Sequence, residues 1–180
     1  MMRAAAAFAA LALLAAPQLR AGEGDAGTAE TVIDWDAARR DATNGSGAKM
    51  LAQLKDADAA LAQARLPVLV PAMIPADAAF SVLGDTYTLR FKKDGASLVL
   101  TGARLMRVPP PGAPKPPGSP DAIRVERTDE GLDLAFARYG AAYQLAIACP
   151  HPQSDPLCAD EKGARDIVNS LAVAVPETTP

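Results

Sequence analysis

Between residues 78 and 102 apolar and polar side chains alternate in three runs, separated by the dipeptides Gly84-Asp85 and Asp94-Gly95. Both dipeptides have the composition of two-residue hairpin turns. The first turn pairs Phe80 with Leu89 and Val82 with Tyr87; the second pairs Tyr87 with Gly102, Leu89 with Leu100 and Phe91 with Leu98. The two turns agree, because Phe80, Leu89 and Leu100 form one row and Ala78, Phe91 and Leu98 the next, all on one face. The reverse face carries Ser81, Thr88, Arg90, Lys92, Ser97, Val99 and Thr101 and reads as solvated. A second hairpin joins 132–139 to 142–149. A type II′ turn at Gly140-Ala141 places Arg138 opposite Tyr143, Phe136 opposite Leu145, Leu134 opposite Ile147 and Leu132 opposite Cys149. A slip of one residue would split these apolar side chains between two faces. The other face, with Asp133, Ala135, Ala137, Gln144, Ala146 and Ala148, suits either water or a covering layer.

Helical periodicity appears elsewhere. Ala164, Ile167, Val168 and Leu171 give 160–171 one buried stripe, with Asp160 as N-cap and Asp155-Pro156 as an alternative start. Met50, Leu51, Leu54, Ala57 and Leu61 do the same for a helix over 49–64, and 32–40 forms a short helix with Trp35 as packing anchor, ended by the breakers at 43–47. The proline-bracketed run 66–71 reads as an edge strand or an extended lead into the sheet, 123–127 as a strand, and Val173 with Val175 as a short last strand. Three prolines in 150–157 exclude regular structure there. Seven prolines in 109–120 make a loop, with a polyproline-II arm as the alternative. The sum is an α+β fold: an antiparallel β-sheet of meander and hairpin strands with helices packed on one face. Residues 48–176 form one domain, behind a flexible lead over 22–47 with little to bury before residue 31.

The N-terminus has Arg3 ahead of an apolar stretch of about 13 residues, short of the ~20 that span a bilayer. With Pro17-Gln18-Leu19-Arg20-Ala21 after it, this is the layout of a secretory signal peptide over 1–21, cut after Ala21 or alternatively after Ala15. No membrane span is expected in the remainder. Without Arg3 and Arg20 the chain has 16 basic against 21 acidic residues, a net charge of −5, and no basic stripe for nucleic acid. Two cysteines in an exported chain predict one structural disulfide, Cys149 to Cys158; a redox pair would have C-x-x-C spacing.

Candidate chemistry is sparse. His151 is the single histidine and lies between two prolines, so no two-histidine metal site exists and no metal or cofactor is expected. There is no G-x-S-x-G elbow, Walker loop, G-x-G-x-x-G or H-E-x-x-H. Asp34 with Asp36, and Asp129 with Glu130, are the carboxylate pairs available for acid–base work, and Asp155, Asp160 and Glu161 lack the spacing of a calcium loop. Tyr87, Phe91, Phe136 and Tyr143 fall on the apolar face of the predicted sheet. They are the candidate lining of a groove between sheet and helices for a small apolar ligand or a peptide.

Arg138-Tyr139-Gly140-Ala141-Ala142-Tyr143, running on to Cys149, Cys158 and the last helix, resembles the C-terminal part of an uncharacterised family of exported proteobacterial proteins, and Val68-Leu69-Val70-Pro71 is similar to an earlier segment of the same group. The resemblance implies export and one domain, and assigns no activity. The functional expectation is a periplasmic or secreted, non-enzymatic binding or interaction domain, its partner an envelope protein or a small apolar ligand. The alternatives are a cell-envelope hydrolase using carboxylates or His151, and a purely structural envelope component.

Overall fold

The computed structural model describes residues 28–42, 45–107 and 122–176, with the backbone alone at 28–30 and 105–107. The expected signal peptide over 1–21, the start of the lead at 22–27 and the proline-rich loop at 109–120 lie outside the described residues.

Six strands form one antiparallel sheet: β3 (Ala79–Leu83), β4 (Thr86–Lys93), β5 (Ala96–Ala103), β7 (Arg124–Arg127), β8 (Gly131–Arg138) and β9 (Ala141–Ala148), in the order β3-β4-β5-β9-β8-β7. Two further ribbons pair β1 (Thr28–Glu30) with β6 (Leu105–Arg107) and β2 (Val68–Val70) with β10 (Ala172–Ala174). Among the described residues four short helices complete a mixed α+β architecture: α1 (Trp35–Asp41), α2 (Ser46–Leu51), α3 (Ala57–Leu61) and α4 (Glu161–Asn169). The buried apolar residues form one cluster, which takes Tyr87, Leu89, Leu98, Leu100, Leu132, Leu134, Leu145 and Ile147 from one face of the sheet and Leu51, Leu61, Ala164 and Val168 from helices.

The first meander has the expected register, with Phe80 on Leu89, Val82 on Tyr87, Leu89 on Leu100 and Phe91 on Leu98. Its turns explain why: Gly84 (φ 58°), Asp94 (φ 51°) and Gly95 (φ 85°) take the left-handed conformations that tight hairpins require. The second hairpin keeps the expected face but is displaced by two residues. Its turn is Tyr139-Gly140 rather than Gly140-Ala141, so Phe136 pairs with Tyr143, Leu134 with Leu145 and Leu132 with Ile147. Both turn residues have positive φ, 51° and 77°, which for a tyrosine costs about 1 kcal/mol or more. Non-local contacts offset that strain. The Asp34 amide donates to the Tyr139 carbonyl at 2.9 Å, the Tyr139 hydroxyl donates to Asp41 at 2.7 Å, and Gly140 sits so close to the Val32 carbonyl that a Cβ would collide with it.

The two meanders also share a sequence pattern. Leu89, Phe91, Gly95, Ala96, Leu100 and Ala103 recur at Leu134, Phe136, Gly140, Ala141, Leu145 and Ala148, each 45 positions on. The strand order has the same twofold arrangement in space: β3-β4-β5 and β7-β8-β9 meet along their third strands, with Leu100 opposite Leu145 at the seam.

Elsewhere the structure corrects the sequence reading in four places. The helix expected over 49–64 is two helices, because Asp56 takes a left-handed φ of 58° between them; Leu54 and Ala64 still reach the core from the turns. Ser46 and Gly47, read as breakers, open α2, where Gly47 is buried beside the Val173 backbone. Residues 28–30 of the flexible lead are a strand. Trp35 is only half-buried, and Ala38 is the residue that α1 places in the core. Asp160 is the N-cap of α4, accepting from the amides of Lys162 and Gly163.

Candidate functional site

The four aromatic side chains expected to line a groove are all buried: Tyr87 is 1%, Phe91 7%, Phe136 6% and Tyr143 3% exposed. Rings of Phe80, Tyr87, Tyr143 and Phe136 run in series, with centroids 6.0, 6.3 and 5.5 Å apart, the last pair stacked. Phe91 lies on the same face outside that series. Tyr87 crosses the bare backbone of its partner Gly102, where a Cβ would strike the ring. This lets its hydroxyl reach Leu69, accepting from the amide at 2.9 Å and donating to the carbonyl at 3.4 Å. The Tyr143 hydroxyl donates to the Pro67 carbonyl at 2.8 Å. Among the described residues β2 has one strand partner, β10, and the two phenols bond Leu69 within it and Pro67 just before it. Burial pushes both phenols well above the ordinary tyrosine range.

The disulfide Cys149–Cys158 is formed, with Cα atoms 6.4 Å apart, and ties the end of β9 to the turn before α4. Such a bridge fits a protein of an oxidising compartment. Among the described residues no helix is long and apolar enough to cross a membrane. Of the carboxylates singled out in the sequence, Asp34, Asp36, Asp155, Asp160 and Glu161 are engaged by backbone amides or cations, whereas Asp129 and Glu130 are exposed. Asp34 caps α1, Asp36 pairs with Arg39, Asp155 accepts from the Leu157 amide, and Glu161 pairs with Arg165. His151 is exposed on its loop. Among the described residues no three His, Cys, Asp or Glu side chains are grouped to hold a metal ion.

The concave surface is on the opposite side of the sheet. Strand register sets Ser97 beside Ala148 and Val99 beside Ala146, with Asp133 next to Ala146 on β8. Alanines and a serine at the centre, between the longer Arg90 and Lys92 on β4 and Glu126 on β7, leave a trough of about 580 Å³. Thr128, Asp129 and Glu130 wall it, and Gln144 and Ile147 complete the lining. A second hollow of about 390 Å³ continues from Ser97, Asp129, Glu130 and Ala148 toward Gly95, Cys149, Pro150 and Pro152. One transverse row reads Arg90, Val99, Ala146, Asp133, Glu126, basic at one end and acidic at the other across an apolar middle. From β4 to β8 that row spans roughly 14 Å, three strand spacings. A third hollow of about 360 Å³ lies between Asp41, Arg138, Tyr139 and 171–173. There burial first, and the bond to Asp41 second, push the Tyr139 phenol up to about 12.

The small side chains of the trough were visible in the sequence as the second face of the hairpin strands. Their juxtaposition depends on β5 lying against β9, which no local turn encodes. Comparison with models of protein families, with curated proteins and with solved structures finds no match to this chain.

Proposed function

We propose that the chain is an exported, non-enzymatic binding or interaction domain whose recognition surface is the open face of the six-stranded sheet. In this reading residues 1–21 direct export, as the resemblance to exported proteobacterial proteins also implies, and the helices lie against the apolar face and leave the other free. The observation that carries the proposal is the trough itself, floored by Val99, Ala146 and Ala148 and edged by Asp129, Glu130 and Asp133. Tyr87, Phe91, Phe136 and Tyr143 support the same reading by exclusion: their rings are buried in the core and the two phenols bond the backbone of 67–69. A trough of this lining takes a segment of an envelope protein or a small ligand that lays an apolar part on the alanines and turns a cationic group toward the three carboxylates.

The test is native mass spectrometry of the protein recovered from the periplasm, wild type beside Ala146→Trp, which fills the trough from an outward-facing position. A bound species on the wild type that is lost from the variant, at unchanged melting temperature, is the expected result. A wild type that carries nothing, or a species retained by both, refutes the assignment of the surface.

A further inference from the structure

The two edges of the six-stranded sheet are guarded unequally. At one edge β7 reads Arg124-Val125-Glu126-Arg127, three charges in four residues. Side chains tie its two ends to neighbouring segments: Arg165 of α4 donates to the Ile123 carbonyl, one residue before the strand, at 3.0 Å, and Arg127 donates to the Cys158 carbonyl at 2.8 Å. Charges are an ordinary protection of an edge strand. At the other edge β3 reads Ala79-Phe80-Ser81-Val82-Leu83, with no charge and no proline. Leu83 closes the hairpin on Thr86, so residues 83, 81 and 79 turn their amides and carbonyls toward β4, and Phe80 and Val82 turn theirs outward. Among the described residues those outward groups have no hydrogen-bond partner. The side chains match this picture: Leu83 is 83% exposed, and Phe80 and Val82 are only half-buried although they lie on the core face.

We propose that β3 is a self-pairing edge, through which two copies of this chain join antiparallel about a two-fold axis at Ser81 into one continuous sheet. The inference is independent of the trough. The register follows from the backbone. Outward groups must meet outward groups, so Phe80 of one copy pairs with Val82 of the other, and each of the two equivalent pairs exchanges both its hydrogen bonds. Ser81 then faces Ser81 across the axis, and each exposed Leu83 lies against the small Ala79 of the second copy. A slip of one residue sets outward groups against inward ones, and a slip of two leaves residues of the strand without mates. At the ends Asp77 comes opposite Asp85, whose charge Arg65 offsets at 3.6 Å. A strand that is its own complement favours a second copy over a foreign segment. The guarded β7 edge stops growth at two, giving closed two-fold symmetry rather than a fibre. Five residues make a small contact beside a standard interface, so the equilibrium depends on concentration.

Sedimentation velocity on protein purified from the periplasm, over a concentration series reaching the millimolar range, is expected to show a monomer–dimer equilibrium. Ser81→Cys is the sharper test. Position 81 is a non-hydrogen-bonded pair across the axis, with Cα atoms about 4.5 Å apart, inside the range a disulfide bridges. Mild oxidation should convert Ser81→Cys to a covalent dimer, whereas Ala79→Cys on the same face, opposite Leu83, should stay largely uncrosslinked. Ser81→Lys sets two ammonium groups face to face and should abolish the dimer without changing the melting temperature of the monomer. A wild type that stays monomeric throughout, equal cross-linking at 79 and 81, or a Ser81→Lys variant that still dimerises overturns the proposal. Capture of another protein's strand by a β3 that never self-pairs overturns it as well.

Discussion

Replacing Tyr87 by phenylalanine removes one oxygen and keeps the ring, so its cost isolates what the hydroxyl does. That oxygen is the partner of the Leu69 amide at 2.9 Å, on a residue that is fully buried. Without it the amide faces hydrocarbon, and an orphaned buried donor costs roughly 1–3 kcal/mol. The return bond to the Leu69 carbonyl is 3.4 Å long and adds little. Tyr139→Phe is the internal comparison, since its bond to Asp41 is exposed and its loss should cost about 0.5 kcal/mol. Urea unfolding of both variants at neutral pH, with the disulfide intact, should show a lower midpoint for Tyr87→Phe at unchanged slope. If Tyr87→Phe falls within about 0.5 kcal/mol of wild type, the phenol is meeting water. The aromatic side chains would then line an accessible groove, and their assignment to the closed core would be wrong.

Three other outcomes follow from the same structure. All three tyrosines hold their protons above the ordinary phenol range, so the unfolded chain loses protons from about pH 10 while the folded chain keeps them. Stability should be unaffected below that pH and fall above it, by about 3 kcal/mol per pH unit from Tyr87 and Tyr143 together and less from the more exposed Tyr139; tyrosinate absorbance rising near pH 10 with native circular dichroism would contradict this. Cys149→Ser with Cys158→Ser opens a loop of sequence separation 9 and should cost roughly 2.5 kcal/mol by loop entropy, measured as a urea midpoint shift; an unshifted midpoint would mean the turn before α4 is held by its hydrogen bonds alone. Asp160→Ala removes the acceptor for two amides at the start of α4 and should cost about 1 kcal/mol, with faster amide exchange at Lys162 and Gly163; unchanged exchange there would refute the capping role.

How far each element was legible depends on the range of the forces that set it. The alternating runs, with Gly84-Asp85 and Asp94-Gly95 between them, carry their own register, because a left-handed turn residue and its flanking pattern are a few positions apart. Asp160 and the stripe Ala164, Ile167, Val168 are local in the same sense, as is a bridge between two nearby cysteines. The second hairpin was legible in its face but not its register. A composition rule prefers glycine first in the turn, and only the anchoring of Tyr139 by Asp34 and Asp41, with Gly140 against Val32, pays for a tyrosine with positive φ. The break at Asp56 interrupts a stripe that continues in sequence from Leu51 to Leu61.

The sequence by itself therefore determined which side chains share the buried face, since alternation with period two and turn chirality are properties of adjacent residues. Tertiary structure alone decided that β5 meets β9, that the Tyr87 and Tyr143 hydroxyls bond the backbone of 67–69, and that small side chains from separate meanders meet as a trough. Those outcomes rest on pairings between residues far apart along the chain, such as Val99 with Ala146 and Tyr87 with Leu69, whose free energy appears only once the intervening segments are in place.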